Sequence, residues 1–178
     1  MDIKLTDTTE YQAQETIKPL PVIDSIGVRP NSGYGNNSSG LEKGYEVLYY
    51  GPEPPEEGQH YLWTLYLNDS LYTDRYFEMV FTDDEFVNGN YIKGIPLFFI
   101  PEDDIPTDTF DVKIAMYSIS KGFYDFLIGY MLETSWRGSP WDGPSANTAG
   151  NISNGAWGYF KACEVKYAVK RYIREKKV

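Results

Sequence analysis

Between Tyr45 and Ser118 the sequence is a series of short runs rich in aromatic and β-branched residues, separated by turn signals. Two of these runs flank Asn68-Asp69, a pair typical of tight hairpin turns, and a second turn pair follows at Asn88-Gly89. The stretch "IPLFFIPEDDIP" is apolar and enclosed by prolines, as expected of an edge strand or an extended cover. "TFDVKIAMYSIS" alternates with a period of two. The pattern predicts antiparallel β-structure.

One segment, "SKGFYDFLIGYMLETSW", has helical periodicity, and it predicts a helix near 120–136 that begins with Ser120 as N-cap. Its apolar stripe is so wide that we expect the sheet to cover the helix on most sides. Many strands with one late helix predict a mainly β fold: an antiparallel β-sandwich or open barrel with one amphipathic helix packed on it. The apolar residues of the helix are Phe123, Tyr124, Phe126, Leu127, Ile128, Tyr130, Met131 and Leu132.

Both ends of the chain also carry strand patterns. Residues 1–18 alternate loosely and end at Pro19 and Pro21, which interrupt ladder pairing. We therefore expect residues 1–18 to be a separate strand or hairpin and residues 19–178 to form a single domain. Near the C-terminus, odd-numbered residues from Tyr159 to Val169 predict one long strand, and Cys163 within it is expected to be a small core residue.

Charge and composition exclude several classes of protein. The chain has 26 acidic and 16 basic residues and a net charge of −10, which argues against binding nucleic acid or anionic lipid. The sequence has no apolar stretch of the ~18 residues that a membrane span needs, and its first residues lack the apolar core of a signal peptide. A single cysteine allows neither an internal disulfide nor a cysteine-based zinc site. We predict no cofactor and no metal.

Catalytic signals are weak. His60 is the only histidine, and no nucleophile motif accompanies it. Two acidic clusters, at 83–85 and 102–111, contain enough carboxylates for glycoside hydrolysis or calcium binding if they converge. We expect solvated turns first, calcium second and catalysis last, and we predict no catalytic residue.

The stretch "SPWDGPSANTAGNISNGAWGYFKA" combines glycine and asparagine with two tryptophans. Aromatic faces flanked by amide and carboxylate groups suit a sugar ring, and a long loop between a helix and a strand also needs apolar pins to stay ordered. We favour the pins and keep the platform as the alternative. The candidate ligand-binding residues are Trp141, Asp142, Asn151, Asn154, Trp157 and Tyr159.

Three motifs follow one another in the second half of the chain: a helix motif in "YSISKGFYDFL" (Ser120, Tyr124 and Phe126-Leu127), a Gly/Pro turn at 138–144, and the ending "GNISNGAWGYFKA". In this order they resemble the C-terminal portion of a Bacteroidetes outer-membrane lipoprotein family catalogued as domain-of-unknown-function family 4249 (DUF4249). Family members are commonly longer, with a lipid-anchoring cysteine and an Ig-like first domain. The resemblance implies that residues 1–18 are the closing strand of such a missing domain, with an extra edge strand as the alternative, and we expect this chain to be a truncated form.

The resemblance implies a non-enzymatic domain of the cell envelope, anchored at the outer membrane or facing the periplasm, that assists TonB-dependent nutrient uptake. Its expected partner is an outer-membrane TonB-dependent transporter. The alternative is a carbohydrate-binding module that uses the aromatic loop to hold a glycan or another nutrient ligand. The family has no agreed activity, so the resemblance supplies no catalytic residues.

Overall fold

The computed structural model describes residues 1–31, 43–105, 107–135 and 148–174. Within these ranges lie ten strands, two short 3-10 turns at Tyr76–Glu78 and Glu102–Asp104, and one helix, α1, at Lys121–Ser135. The strands are β1 Asp2–Lys4, β2 Glu10–Gln12, β3 Ser25–Asn31, β4 Gly44–Pro52, β5 His60–Leu67, β6 Ser70–Leu71, β7 Val80–Asp83, β8 Tyr91–Pro101, β9 Thr109–Ser118 and β10 Val165–Ile173.

A five-stranded antiparallel sheet is built around β5. Strand β9 pairs with one side of β5 and with β10 beyond it, while β6 and β7 share the other side of β5. The turn between β5 and β6 has Asn68 at φ 49° and Asp69 at φ 64°. Both residues tolerate this left-handed backbone better than most, and two such residues in succession form a tight hairpin turn. The predicted hairpin is confirmed.

The second sheet has three antiparallel strands in the order β3-β4-β8. Strand β8 lies at its edge, as its prolines predict, and its pairing with β4 contains two register shifts. Large side chains from the two sheets meet in one core: the ring of Tyr49 lies 4.8 Å from that of Trp63, and Tyr45 lies 5.4 Å from Phe110. Two antiparallel sheets lie face to face, and the described strands form no closed barrel, which confirms the β-sandwich.

Helix α1 packs on the outer face of the five-stranded sheet through its first turn. Phe123 N–H donates to Ser120 Oγ at 3.1 Å, which confirms Ser120 as the N-cap. The ring of Tyr124 lies 4.8 Å from His60 and 5.6 Å from Phe81. Farther along, Leu132 is 57% exposed, and no described side chain of the helix is fully buried. The expectation that the sheet covers most of the helix is wrong, because the contact with the strands is made near its start.

The C-terminal strand is shorter than its alternation predicts. Residues 148–164 are irregular, and β10 begins only at Val165. Tyr159 and Lys161 therefore lie outside the strand, and Cys163 is half-buried instead of a core residue. Alternation fails here because side-chain hydrogen bonds and ring contacts, described below, hold this segment in place of a strand ladder.

The N-terminal hairpin is the third β-structure. Strands β1 and β2 pair antiparallel with each other, Asp2 opposite Gln12. Within the described ranges neither strand joins the sheets of the sandwich. The division into residues 1–18 and 19–178 stays a prediction.

Candidate functional site

The candidate residues lie on the connection between α1 and β10. We call residues 148–162 the pinned loop, because hydrogen bonds and close packing hold it between α1 and the N-terminal hairpin. Asn151, Asn154, Trp157 and Tyr159 lie on it, whereas Trp141 and Asp142 lie outside the described residues.

The side-chain amide of Asn151 makes the two hydrogen bonds to Phe160 that a neighbouring strand would otherwise make. Its Oδ1 accepts a hydrogen bond from Phe160 N–H at 2.8 Å, and its Nδ2–H donates to Phe160 O at 2.9 Å. The same Nδ2 donates to Gln14 O at 3.3 Å. The amide thus satisfies both backbone groups of a residue that has no ladder partner, and buried backbone groups need such a partner. Asn151 closes the loop on itself and ties it to the N-terminal segment.

A turn in the pinned loop is fastened to β2. Ser153 N–H donates to Gln12 O and Gln12 N–H donates to Ser153 Oγ, each at 2.8 Å, while Asn154 Nδ2–H donates to Glu10 O at 3.1 Å. Asn154 and Gly155 follow one another at φ 62° and 69°. An Asn-Gly pair suits that left-handed backbone because glycine carries no Cβ and asparagine tolerates it. The sequence pair "NG" is therefore needed for the turn itself.

Glycines let the pinned loop approach its neighbours closely. A Cβ on Gly150 would lie 1.9 Å from the Gly158 carbonyl oxygen, so the two backbones cross without room for a side chain. On α1, a Cβ on Gly122 would lie 2.5 Å from the Tyr159 hydroxyl, and one on Gly129 would lie 2.7 Å from Thr148 Oγ1. The two helix glycines are seven residues apart and form one face, against which both ends of the loop lie.

Tyr159 is the aromatic pin of the loop. Its ring lies 5.3 Å from Phe123 and 5.5 Å from Phe126, and its hydroxyl lies 3.3 Å from Ser120 Oγ. Burial raises the pKa of the Tyr159 hydroxyl, so it remains protonated at neutral pH. Beside it, the Lys161 ammonium lies 5.4 Å from the Phe123 ring and 4.8 Å from that of Tyr117. These contacts fix the end of the loop to the start of the helix and to the sheet.

Trp157, unlike Tyr159, is exposed to solvent. It is 94% exposed, although residues on both sides of it are held by hydrogen bonds and packing. The interpretation of the tryptophans as pins is therefore wrong for Trp157, since the asparagines and Tyr159 hold the loop. A large apolar side chain in water on an ordered loop gains nothing for folding. The Trp157 ring is accessible from solvent.

A groove lies beside the pinned loop, next to the N-terminal hairpin. Its volume is about 610 Å³, and Gln12, Gln14, Asn151 and Ser153 contribute to its wall. The wall is thus rich in amide and hydroxyl groups that donate and accept hydrogen bonds. The ligand-binding role assigned to Asn151, Asn154, Trp157 and Tyr159 stays a prediction.

Comparison with known proteins bears on the motifs found in this loop and in α1. The model of a family described as "Domain of unknown function (DUF4249)" matches residues 1–168. The chain belongs to this family. No curated protein and no solved structure matches it. The family resemblance of the motifs is thereby confirmed over nearly the whole chain.

The acidic turn of this DUF4249 chain forms a second, smaller cavity of about 340 Å³ near His60, Asp83 and Asn88. Asp84 beside it is buried, and its carboxylate accepts hydrogen bonds from Gly58 N–H and Gln59 N–H, both at 3.1 Å. The expectation of a solvated turn is wrong for Asp84, whose charge is used to hold the neighbouring turn. Within the described ranges, no group of three or more histidine, cysteine or acidic side chains is placed to hold a metal ion.

Glu53, near this turn, is a buried carboxyl group that accepts a hydrogen bond from the Tyr61 hydroxyl at 2.5 Å. Burial raises the pKa of the Glu53 carboxyl above its usual 4.5, against the opposite effect of the Tyr61 hydroxyl. The folded state therefore holds this proton more tightly than the unfolded chain does. The resulting stabilisation is present below pH 4.5 and is lost as the pH rises through the raised pKa.

Glu53→Gln is expected to increase the free energy of unfolding at pH 7 by about 1 kcal/mol, because a neutral amide still accepts the Tyr61 hydrogen bond without a buried charge. The difference from the parent should shrink as the pH falls through the raised pKa of Glu53, because the parent carboxyl then becomes protonated. Urea unfolding at several pH values measures this. Glu56→Gln, at an exposed position, is the control and should change little. Equal effects of the two substitutions at pH 7 would contradict a role for burial.

Proposed function

We propose that the chain is a non-enzymatic binding domain of the cell envelope that contacts an outer-membrane TonB-dependent transporter through the pinned loop. The observation that carries the proposal is the 94% exposure of Trp157 on a loop held by Asn151 and Ser153. Tryptophan is enriched among the residues that dominate binding energy at protein interfaces. A loop that is already ordered loses little conformational entropy when it binds. Trp157 is thus suited to be the anchor of a protein contact.

The envelope location and the class of partner come from the family resemblance. No helix in the described ranges is long and apolar enough to cross a membrane. We propose that the domain acts at the outer membrane or in the periplasm, as the family resemblance implies. Binding there requires no catalytic group in the chain.

The test is capture of a transporter from detergent-solubilised outer membranes of the organism that encodes the chain. The immobilised protein should retain a TonB-dependent transporter, identified by mass spectrometry, and Trp157→Ala should reduce that retention at least about tenfold, as loss of an interface anchor does. Phe86→Ala is the matched control, because Phe86 is 89% exposed and lies on the acidic turn instead. Both variants should unfold at nearly the parent temperature, since exposed side chains contribute little to stability. Equal retention by all three proteins, or no transporter on any, would refute the proposal.

The amide-lined groove beside the pinned loop favours a second candidate, a carbohydrate-binding module. Gln14 and Ser153 supply side chains of the kind that bind sugar hydroxyl groups, and the loop also carries an exposed aromatic ring. Titration calorimetry against a panel of neutral oligosaccharides tests it. Binding that is weakened by both Gln14→Ala and Trp157→Ala would support this function over the transporter contact. A flat response across the panel would exclude it.

A further inference from the structure

The sandwich has four lateral edges, and three of them are poor templates for an added strand. Strand β3 contains Pro30, strand β8 contains Gly94 and Pro96 and is paired through register shifts, and β6 and β7 are only two and four residues long. Proteins commonly protect sheet edges with prolines, bulges and short strands in this way. These three edges are therefore blocked against pairing with another chain.

The fourth edge, β10, has none of these protections. Its nine residues, Val165–Ile173, pair with β9 in continuous register and include neither glycine nor proline. Within the described ranges no strand pairs with its other side, although β3 of the facing sheet lies close to β10 and Lys166 donates to Leu20 O. The face that carries Arg171 also carries four exposed apolar side chains, Val165, Tyr167, Val169 and Ile173, which are between 37% and 67% exposed. A long, regular, apolar edge is the kind that adds a strand.

The charges on β10 are largely neutralised within the chain. Arg171 forms a bidentate ion pair with Asp111, with Nε–Oδ1 at 2.7 Å and Nη2–Oδ2 at 2.8 Å. The Lys166 ammonium lies 3.6 Å from Glu164 Oε1. Lys170 has no ion pair among the described residues. Lys166 and Arg171 nevertheless remain cations at the strand edge, so the positions of all three basic side chains decide which registers avoid repulsion between like charges.

We propose that a second copy of this chain pairs with β10, antiparallel and centred on Val169, so that the two five-stranded sheets become one sheet of the dimer. In this register Val169 faces Val169 of the other copy across a two-fold axis. Lys170 then faces Ala168, and Arg171 faces Tyr167, whose ring attracts a cation. All nine residues of each strand are paired, and no two cations stand opposite one another.

Other registers with the same faces aligned are worse. A centre on Ala168 places Lys166 of one copy opposite Lys170 of the other. A centre on Lys170 pairs the two Lys170 side chains, and a centre on Arg171 pairs the two Arg171 side chains. Like charges directly opposite one another destabilise a cross-strand pair. A centre on Tyr167 avoids like charges but pairs only 165–169. Shifting by a single residue would turn the apolar face of one copy toward the opposite side of the sheet. Charge and length together select the centre on Val169.

Sedimentation equilibrium of the chain tests the dimer. We expect the mass to rise from the 20.4 kDa of one chain toward twice that value as concentration increases. Val169→Lys puts two cations at the two-fold axis and should weaken association at least about tenfold. Val22→Lys is the matched control, since Val22 is 55% exposed and lies outside the sheets, and it should associate like the parent. A monomer at every concentration, or equal weakening by both variants, overturns the proposal.

Disulfide trapping tests the register. In a Cys163→Ser background, Val169→Cys should form a linked dimer on mild oxidation, because paired Cα atoms in antiparallel strands lie about 4.5–5.5 Å apart, within disulfide range. Tyr167→Cys should not, because its two copies are offset by four residues, about 13 Å along the strand. Linkage through position 167 with none through 169 would refute the proposed register. Linkage through neither position would refute the pairing.

Discussion

Gly150→Ala is expected to release the pinned loop from the rest of the protein. The added Cβ would lie 1.9 Å from the Gly158 carbonyl oxygen, which belongs to the backbone and cannot rotate away. The two segments must separate, at a cost of about 3 kcal/mol, at the upper end of the cost of overpacking a closely packed site. Urea unfolding and amide hydrogen exchange of residues 148–162 measure the loss. Transporter capture should fall as it does for Trp157→Ala.

Gly155→Ala is the control for this prediction. Gly155 lies in the same loop, with no atom within 4 Å of an added Cβ, so only its φ of +69° opposes the substitution. That backbone costs an alanine about 1–2 kcal/mol. If the two substitutions destabilised the protein equally, the close approach of Gly150 to Gly158 would not be what holds the loop.

Asn151→Ala is expected to cost about 2–3 kcal/mol, because it leaves the partly buried N–H and carbonyl of Phe160 without their partners. It also removes the hydrogen bond to Gln14, so exchange protection should fall at the start of the loop and in the segment that follows β2. Urea unfolding with hydrogen exchange at Phe160 N–H measures both effects.

A second substitution at position 151 separates the contribution of the amide oxygen from that of the amide N–H groups. Asn151→Asp keeps an oxygen that accepts from Phe160 N–H but lacks the N–H groups that donate to Phe160 O and Gln14 O. It should therefore preserve protection at Phe160 N–H while losing part of the stability. Full stability in Asn151→Ala would show that water replaces the amide at no cost.

Local signals predicted the antiparallel β-structure well for a physical reason. Alternation along β9 depends only on which side of a strand faces the core, and the Asn68-Asp69 turn depends on the backbone preferences of two residues. The N-cap at Ser120 is likewise a contact between residues three apart. Interactions of such short range can be recognised in the sequence before any tertiary contact is known.

Two predictions were wrong because they inferred the packing of a segment from its local periodicity alone. The alternation from Tyr159 to Val169 resembles one strand, yet its first part is held by Asn151 and by the rings of α1. The apolar breadth of α1 predicted burial under the sheet, yet Leu132 is 57% exposed. Neither result could be read from the pattern, because a pattern does not say which neighbour is present.

The sequence by itself determined the mainly antiparallel β-structure, the start of the helix and the family, because strand alternation, turn pairs and ordered motifs are local properties of the chain; that the sheets form a sandwich was decided by their packing. Only the tertiary structure decided how the pinned loop works. Asn151 and Asn154 meet backbone groups that lie 137 and 144 residues away, and Trp157 is left in water by a loop that these contacts hold in place. The reason is that hydrogen-bond partners and exposure depend on which distant segments the fold brings together.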